Sequence, residues 1–196
     1  MGEISVKDFS REYWSQHLEC IKRMDLEMLE KIVGVLLRAH RSGKKVYAMG
    51  NGGSAATASH LACDLNKTAA VKGRPRFKVI SINDNVPVML AIANDIRYEE
   101  VFAEQLENFL ESQDVVFLIS GSGNSPNLLR AAEFARSRGA VTVALLGFEG
   151  GKLKAMVDHP FVVPSRQYGV IEDLHMSICH FLTFYFKKLL SLDASS

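Results

Sequence analysis

The spacing of apolar residues near the start of the chain predicts a helical segment. Over residues 8–42, apolar side chains recur every three or four positions, as they do along one face of an α-helix. The clearest part of this series is Leu26, Leu29, Ile32, Val33, Leu36 and Leu37. Gly43 follows and is placed to end the segment, since glycine closes many helices. We therefore expect an N-terminal helical segment over residues 1–44 and the main domain over residues 45–196, which together form a single structural unit.

Beyond residue 44 the pattern changes to short apolar runs that alternate with helical stretches. Five runs are typical of β-strands: 45–49, 77–82, 115–120, 141–146 and 160–163. Their alternation with helices predicts an α/β fold with a parallel sheet and helices on both faces. Right-handed crossovers favour a doubly wound five-stranded sheet of flavodoxin-like order, in which the first and third strands are neighbours.

The last helical stretch, from about Ile171 to Leu190, is apolar almost all round. A helix with so little polar surface is expected to be buried, and in so small a domain a subunit interface is the expected cover. We predict that this helix and the N-terminal helices lie in an oligomer interface.

Charge and cysteine content narrow the class of protein. The 196 residues are 47% hydrophobic and carry a net charge of +1 with dispersed basic residues, which favours a packed domain that does not bind nucleic acid. Three cysteines without a CxxC pair argue against a disulfide framework and predict a cytoplasmic protein. Cys63 and Cys179 are interpreted as small core residues. The first residues lack the apolar core of a signal peptide, and no run reaches the roughly 20 apolar residues of a membrane span.

Two glycine-rich turns carry the strongest chemical signal. Residues 50–54 (GNGGS) follow the first apolar run, and residues 120–125 (SGSGNS) follow the third. A strand, a glycine turn and a helix N-terminus direct backbone N–H groups and a positive dipole end at one point, which suits a phosphate. Four serines add hydroxyl donors: Ser54, Ser120, Ser122 and Ser125. One such turn is equally well explained as a connector, but two at neighbouring strand ends favour phosphate binding.

The type of phosphate ligand is narrowed by what the turns lack. Neither turn has the Gly-Lys-Ser/Thr of a Walker A loop, and residues 121–126 lack the third glycine of the dinucleotide fingerprint. A phosphorylated small molecule is therefore expected in preference to a nucleotide.

Titratable residues cluster on two predicted helices. His60 and Asp64 are four positions apart after the first turn, so they share one helix face and form half of a metal site. A lone histidine is more often a surface or interface residue, but the position of His60 just beyond a phosphate turn favours a site residue. Four more lie near the start of the last helix: Glu172, Asp173, His175 and His180. Of these, His175 is interpreted as a polar contact in a subunit interface.

These motifs resemble those of the sugar isomerase (SIS) domain family. The turn at 50–54, His60 and the run at 119–125 carry the resemblance to the family as a whole. His60 together with His180 narrows it to the phosphoheptose isomerase branch, the sedoheptulose 7-phosphate isomerases. The likeness extends over nearly the whole chain and includes Ala93-Asn94-Asp95 and Gly150-Gly151-Lys152.

The resemblance implies a role for each matching residue. Asp64 and His180 take the acid and base positions, and the positions of a zinc site fall on His60, Asp64, Glu172 and His180. The substrate positions fall on Asn51, Gly52, Gly53, Asn94, Asp95, Ser120, Gly121, Ser122 and Ser125, to which we add Ser54 and Glu172. The resemblance also implies a homotetramer with its sites between subunits.

Two residues depart from the family pattern. The family usually has Glu where this chain has Asp64, and Gln where it has Glu172. Aspartate is one methylene shorter, so it reaches less far toward the sugar as a base. Glu172 adds a negative charge, which favours a divalent cation. Helical spacing places Asp173, rather than Glu172, on the face of His180, so Glu172 requires a position at the helix entrance or a second subunit.

The resemblance implies an aldose–ketose isomerase of heptose biosynthesis that converts sedoheptulose 7-phosphate into an aldoheptose 7-phosphate through an enediol. Two alternatives stay open. One is a non-catalytic SIS-domain sensor or regulator, of the type that binds the bacterial replication initiator. The other is an isomerase of a different sugar phosphate. Regulators of this branch tend to lack the second histidine, so the presence of His180 favours the enzyme.

Overall fold

The core of the molecule is a five-stranded parallel sheet. The structure, a computed structural model, describes residues 4–192. The strands are β1 (Val46–Gly50), β2 (Val79–Ser81), β3 (Val115–Ser120), β4 (Val141–Leu146) and β5 (His159–Val162). Their order is β2-β1-β3-β4-β5, so the predicted flavodoxin-like order is confirmed.

The ends of β1 and β3 lie side by side. Gly50, the last residue of β1, pairs with Ile119 near the end of β3. The two glycine turns therefore leave the sheet at the same edge and next to each other, at the switch point where doubly wound sheets bind ligands.

Both faces of the sheet are buried. In β3, Val115, Phe117 and Ile119 belong to one hydrophobic core, whereas Val116 and Leu118 belong to the other. Successive strand residues point to opposite faces, so a strand enclosed on both sides needs apolar residues at every position. This double burial explains why the strands are continuous apolar runs in the sequence.

Eight α-helices surround the sheet within the described residues. They are α1 (Val6–Lys22), α2 (Leu26–Arg41), α3 (Gly53–Cys63), α4 (Val86–Asp95), α5 (Ala103–Glu107), α6 (Pro126–Ser137), α7 (Leu153–Met156) and α8 (Tyr168–Leu192). A π-helical turn, Asp64–Thr68, continues α3, and a 3₁₀ turn, Tyr98–Glu100, follows α4.

The segment predicted to be helical over residues 8–42 is two helices. Asp25 starts α2 by accepting a hydrogen bond from the Met28 N–H at 2.9 Å, and the chain bends just before this cap. Ile32 and Leu36 of α2 lie in the same core as Val115 of β3. The N-terminal helices thus share a core with the sheet. The predicted boundary at residue 44 stays a prediction.

The last helix, α8, begins three residues earlier than predicted and is buried on one side only. Leu174, Ile178 and Leu182 are buried, whereas Phe181 and Phe184 are 45% and 60% exposed. Only one side of α8 packs on the sheet layer in the single chain, so the predicted cover of its other side by a subunit interface stays a prediction. No helix within residues 4–192 combines the length and apolar character needed to cross a membrane.

His175 lies inside the single chain, so its interpretation as an interface contact is wrong. Its side chain is fully buried, and its Nε2 lies 3.0 Å from the Leu146 carbonyl oxygen. Its Nδ1 is buried without a partner among the described residues. Burial lowers the pKa of His175 to about 4, although the bond to the Leu146 carbonyl acts in the opposite direction.

We expect the stability of the fold to decrease as the pH falls from about 6.5 towards about 4. In this window the unfolded chain binds a proton at His175 and the folded chain does not, so lower pH favours unfolding. His175→Gln can keep a donor to the Leu146 carbonyl but has no proton to bind, and it should flatten the pH dependence of the melting temperature. Calorimetry across this range measures the slope.

His159→Gln is the matched control for this slope. Burial also lowers the pKa of His159, but this side chain is only partly buried, so its replacement should flatten the slope less. An unchanged slope in His175→Gln would contradict the assignment.

Candidate active site

The turn after β1 presents Asn51 and the start of α3 at the edge of the sheet. Asn83 holds this turn: its Nδ2 donates to the Gly50 carbonyl at 2.8 Å, and its Oδ1 accepts the Gly50 N–H at 3.1 Å. Gly52 has a φ of +55°, which glycine adopts without strain. Because α3 begins at Gly53, its positive dipole end lies next to the turn.

The turn after β3 is arranged so that its hydroxyl groups remain available as donors. Ser120 Oγ accepts the Gly123 N–H at 3.0 Å, and Ser122 Oγ accepts the Asn124 N–H at 3.3 Å. Ser125 precedes α6 but makes no capping bond with its side chain. Each hydroxyl can therefore donate its hydrogen to an anionic oxygen.

A third turn, residues 147–152, packs directly against the turn after β3. The Gly147 N–H donates to the Gly121 carbonyl at 2.9 Å, and the Leu153 N–H donates to the Gly123 carbonyl at 3.0 Å. A methyl group on Gly123 would lie only 2.0 Å from the Gly150 oxygen. Glycine is needed at this position because the two backbones are in contact.

A small pocket of about 150 Å³, which we call the serine pocket, opens between the first two turns. It brings together seven of the predicted substrate residues: Asn51, Ser54, Ser120, Gly121, Ser122, Ser125 and Glu172. Gly52 and Gly53 adjoin it in sequence but do not line it. The convergence of four serines and a helix N-terminus at one cavity suits an anionic group on a small polar ligand.

The carboxylate of Glu172 reaches the N-terminus of α3. A methyl group on Gly53 would lie 2.7 Å from Glu172 Oε2, so the absence of a side chain at Gly53 permits this approach. A negative charge at a helix N-terminus is favourable. Glu172 lies near the start of α8. This position at the helix entrance is one of the two that the sequence left open for Glu172, the other being a site shared with a second subunit.

Three potential metal ligands converge further along α3 and α8. His60 Nε2 lies 2.9 Å from His180 Nε2 and 3.4 Å from Asp64 Oδ2. All three ligand atoms lie within 4.8 Å of one another. Zinc binds nitrogen and oxygen at about 2.0–2.2 Å, so two ligands of a tetrahedral ion lie roughly 3.4 Å apart. The three residues are thus a possible site for a metal ion, and we call them the His–Asp–His group.

Glu172 is not a member of the His–Asp–His group. It lies eight residues before His180 on α8, which corresponds to about 12 Å along the helix axis. Its assignment as the fourth metal ligand stays a prediction.

The π-helical turn places Thr68 beside Asp64. The Thr68 hydroxyl donates to Asp64 Oδ1 at 3.0 Å, which leaves Oδ2 directed toward His60. Single π-helical turns occur frequently at functional sites. The sequence analysis missed Thr68, since nothing in the apolar pattern distinguishes a π-turn from an α-turn.

The cysteines near the candidate ligands differ in burial. Cys179 is buried, as predicted, whereas the prediction for Cys63 is wrong because its side chain is exposed. Burial, with a smaller contribution from the Asp64 charge, raises the pKa of the Cys179 thiol to about 12. Cys179 therefore stays protonated and is not a nucleophile.

Two predicted substrate residues, Asn94 and Asp95, lie away from the pocket. They are exposed at the end of α4, where Asn94 Nδ2 donates to Asp95 Oδ1 at 2.8 Å. The structure of the single chain does not bring them to the substrate pocket. Their role stays a prediction that requires a neighbouring subunit.

Three residues near the pocket were missed by the sequence analysis. Tyr168 lines the pocket, and a methyl group on Gly121 would lie 2.8 Å from its ring. Asn127 and Tyr98 both make hydrogen bonds to Asn51. The only available signal was a polar residue, Asn127, among the apolar residues at the start of α6.

Comparisons with known proteins identify the family to which the chain belongs. The family model described as the SIS domain matches residues 11–147. A phosphoheptose isomerase of Trichlorobacter lovleyi is 33% identical over 180 residues, which cover 90% of this chain and 91% of the relative.

Two solved structures have the same fold over nearly the whole chain. The phosphoheptose isomerase of Francisella tularensis superimposes with a TM-score of 0.87 at 25% identity, covering 94% of this chain and all of the other. The enzyme of Neisseria gonorrhoeae gives a TM-score of 0.85 at the same identity and coverage. The chain therefore belongs to the SIS domain family and, within it, to the phosphoheptose isomerases, enzymes that isomerise sugar phosphates.

Proposed function

We propose that this enzyme interconverts sedoheptulose 7-phosphate and an aldoheptose 7-phosphate. The observation that carries the proposal is the placement of the serine pocket and the His–Asp–His group along the same two helices. Glu172 lines the pocket and Gly53 adjoins it in sequence, whereas His180 and His60 lie eight and seven residues further on, roughly 10–12 Å along α8 and α3. With its phosphate in the pocket, a sugar can therefore extend its other end toward Asp64 and His180.

The serine pocket would hold the phosphate. Ser120, Ser122 and Ser125 would donate hydroxyl hydrogens to its oxygens, and the N-terminus of α6, which Ser125 precedes, adds a positive dipole end. When it is ionised, Glu172 can accept hydrogen bonds but cannot donate them, so it suits sugar hydroxyls rather than the phosphate. Asn51 also faces the sugar.

Proton transfer would be divided between Asp64 and His180. Asp64 removes a proton from the first carbon of the ketose while the carbonyl oxygen of the second carbon gains one from His180, which produces an enediol. Return of a proton to the second carbon and loss of the hydroxyl proton at the first carbon then give the aldehyde. Atoms and electrons balance without an external oxidant.

The His–Asp–His group would hold a zinc ion. His60, Asp64 and His180 supply two imidazole nitrogens and a carboxylate oxygen, a donor set suited to zinc. When bound, the ion supplies positive charge that polarises sugar oxygens. An atom that binds the ion cannot also carry a proton, so Asp64 and His180 would have to transfer protons through the carboxylate oxygen and ring nitrogen that the ion leaves free.

We expect Thr68→Val to weaken zinc binding by about 10- to 100-fold. The substitution removes the hydrogen bond that orients the Asp64 carboxylate, while side-chain volume is nearly unchanged. Competition with a chromophoric chelator measures the affinity. Thr68→Ser keeps the hydroxyl and should restore binding close to that of the wild type. Equal affinities in Thr68→Val and the wild type would contradict an orienting role.

We also propose that the enzyme is a cytoplasmic homotetramer whose sites lie between subunits. None of the side chains of α4 is buried in the single chain, and Val86 and Leu90 are 54% and 64% exposed. Phe184 of α8 and Trp14 of α1 also leave apolar surface uncovered. A partner subunit would cover these surfaces and bring Asn94 and Asp95 to a site. Analytical ultracentrifugation tests the stoichiometry.

The reaction is tested by incubating the protein with sedoheptulose 7-phosphate in deuterated water, with and without zinc, and following the sugar by NMR. An aldoheptose phosphate is the expected product, and deuterium at its second carbon locates the proton transfer. Binding without conversion would contradict the isomerase and favour a sugar-phosphate sensor. Conversion of a different sugar phosphate alone would overturn the choice of substrate.

A further inference from the structure

A buried amide, Asn127, makes a reciprocal pair with Asn51 beside the pocket. Asn127 is 1% exposed. Asn51 Nδ2 donates to Asn127 Oδ1 at 2.9 Å, and Asn127 Nδ2 donates to Asn51 Oδ1 at 2.8 Å. The pair connects the turn after β1 to the first turn of α6, and hence to the turn after β3.

The hydrogen bonds determine which way each amide points. The Leu128 N–H, which can only donate, is shared between the Ser125 carbonyl oxygen and the Asn127 atom assigned as oxygen, each at 3.0 Å. An amide nitrogen in place of that oxygen would set one donor against another. This contact fixes the orientation of Asn127, and the reciprocal pair then fixes that of Asn51. The Asn51 oxygen receives a second hydrogen bond, from the Tyr98 hydroxyl at 3.0 Å.

One donor of Asn51 remains after these bonds are formed. Both lone pairs of its oxygen are used, and one of the two Nδ2 hydrogens is bound to Asn127. The second Nδ2 hydrogen has no partner in the part of the chain that the structure describes. Because Asn51 lines the pocket, this hydrogen is the group it can offer to a ligand.

We propose that Asn127 is a positioning residue that makes Asn51 a hydrogen-bond donor to the substrate. The inference rests on the proposed function, since it assumes that the pocket holds a sugar phosphate. It assigns the chemistry of the contacted group, which must be an accepting oxygen such as a carbonyl, hydroxyl or phosphate oxygen. An ammonium group at the same position has no acceptor and is excluded.

A purely structural role for Asn127 makes a different prediction. Asn127 lies in the first turn of α6, where an acidic residue is favourable. The Leu128 N–H needs only an accepting oxygen there, and it also donates to the Ser125 carbonyl. For such a role, Asn127→Asp would be harmless. For the positioning role the same substitution is harmful, because it removes the Asn127 Nδ2 donor and sets a carboxylate oxygen against Asn51 Oδ1.

The test compares the dissociation constant for sedoheptulose 7-phosphate in the wild type, Asn127→Asp, Asn51→Ala and the double variant. We expect Asn127→Asp to weaken binding about tenfold or more. When Asn51→Ala is already present, adding Asn127→Asp should raise the dissociation constant by less than about twofold, because Asn127 acts only through Asn51. Asn108→Asp, an equal charge change at an exposed position, should bind like the wild type. Equal weakening in both backgrounds, or none in either, would overturn the proposal.

A second measurement needs neither turnover nor a stable Asn127 variant. The Asn51 side-chain amide signals, identified by their loss in Asn51→Ala, should show one Nδ2 hydrogen that exchanges with water more slowly than the other in the free protein. Equal, rapid exchange of both would overturn the inference. Slow exchange without conversion of the sugar would contradict the proposed reaction but leave the positioning role intact.

Discussion

Replacing His180 with glutamine should lower kcat by about a thousandfold, within the range that a positioned acid or base contributes. Glutamine can form hydrogen bonds but cannot exchange a proton with the sugar near neutral pH. The His180 imidazole lies 2.9 Å from His60, so the change also removes one ligand of the His–Asp–His group. Initial rates with sedoheptulose 7-phosphate, measured at saturating zinc, test the prediction.

The binding of the sugar phosphate should be spared in His180→Gln, because the serine pocket lies at the start of α8, about 12 Å along the helix from His180. His159→Gln is the matched control: it makes the same substitution on β5, outside the site, and should keep the wild-type rate. A kcat within tenfold of the wild type in His180→Gln would remove His180 from the proposed chemistry.

Gly123→Ala should lower the free energy of unfolding by about 3 kcal/mol and abolish sugar-phosphate binding. Two effects combine at this position. The backbone has a φ of +64°, and a methyl group would lie 2.0 Å from the Gly150 oxygen, which is backbone and not a movable side chain. The turn after β3 would have to separate from residues 147–152, and its serines would lose their arrangement. Urea denaturation and calorimetric titration measure the two quantities.

Gly73→Ala separates the two effects. Gly73 also has a positive φ, +81°, but a methyl group there would meet nothing within 4 Å. It should show only the conformational cost, on the order of 1 kcal/mol, with binding unchanged. Similar losses in both variants would show that the contact with Gly150 is unimportant.

The sheet order and the position of the pocket were predictable because they depend on local signals. Strands buried on both faces are continuous apolar runs, and a phosphate turn needs glycine and serine directly after a strand. The break before Asp25 was missed because apolar spacing continues across it. The exposure of Phe184 could not be predicted, since the composition of an apolar helix does not show which of its sides packs against the rest of the same chain.

The candidate metal site was only half predictable from spacing. His60 and Asp64 share a helix face, so their proximity follows from helical geometry. His180 came from the family resemblance, because no spacing rule brings residues 120 positions apart together. Asn127 and Thr68 act through other side chains, and such contacts become visible only when the packing is known.

The single helix α8 carries both a residue of the serine pocket and a residue of the His–Asp–His group. A helix is stiff along its axis, so the span between Glu172 and His180 cannot shorten to suit a smaller ligand. If the proposed function holds, this fixed spacing would select sugar phosphates by the length of their carbon chain. A shorter sugar phosphate could anchor its phosphate yet leave its carbonyl out of reach, and would act as a competitive inhibitor rather than a substrate.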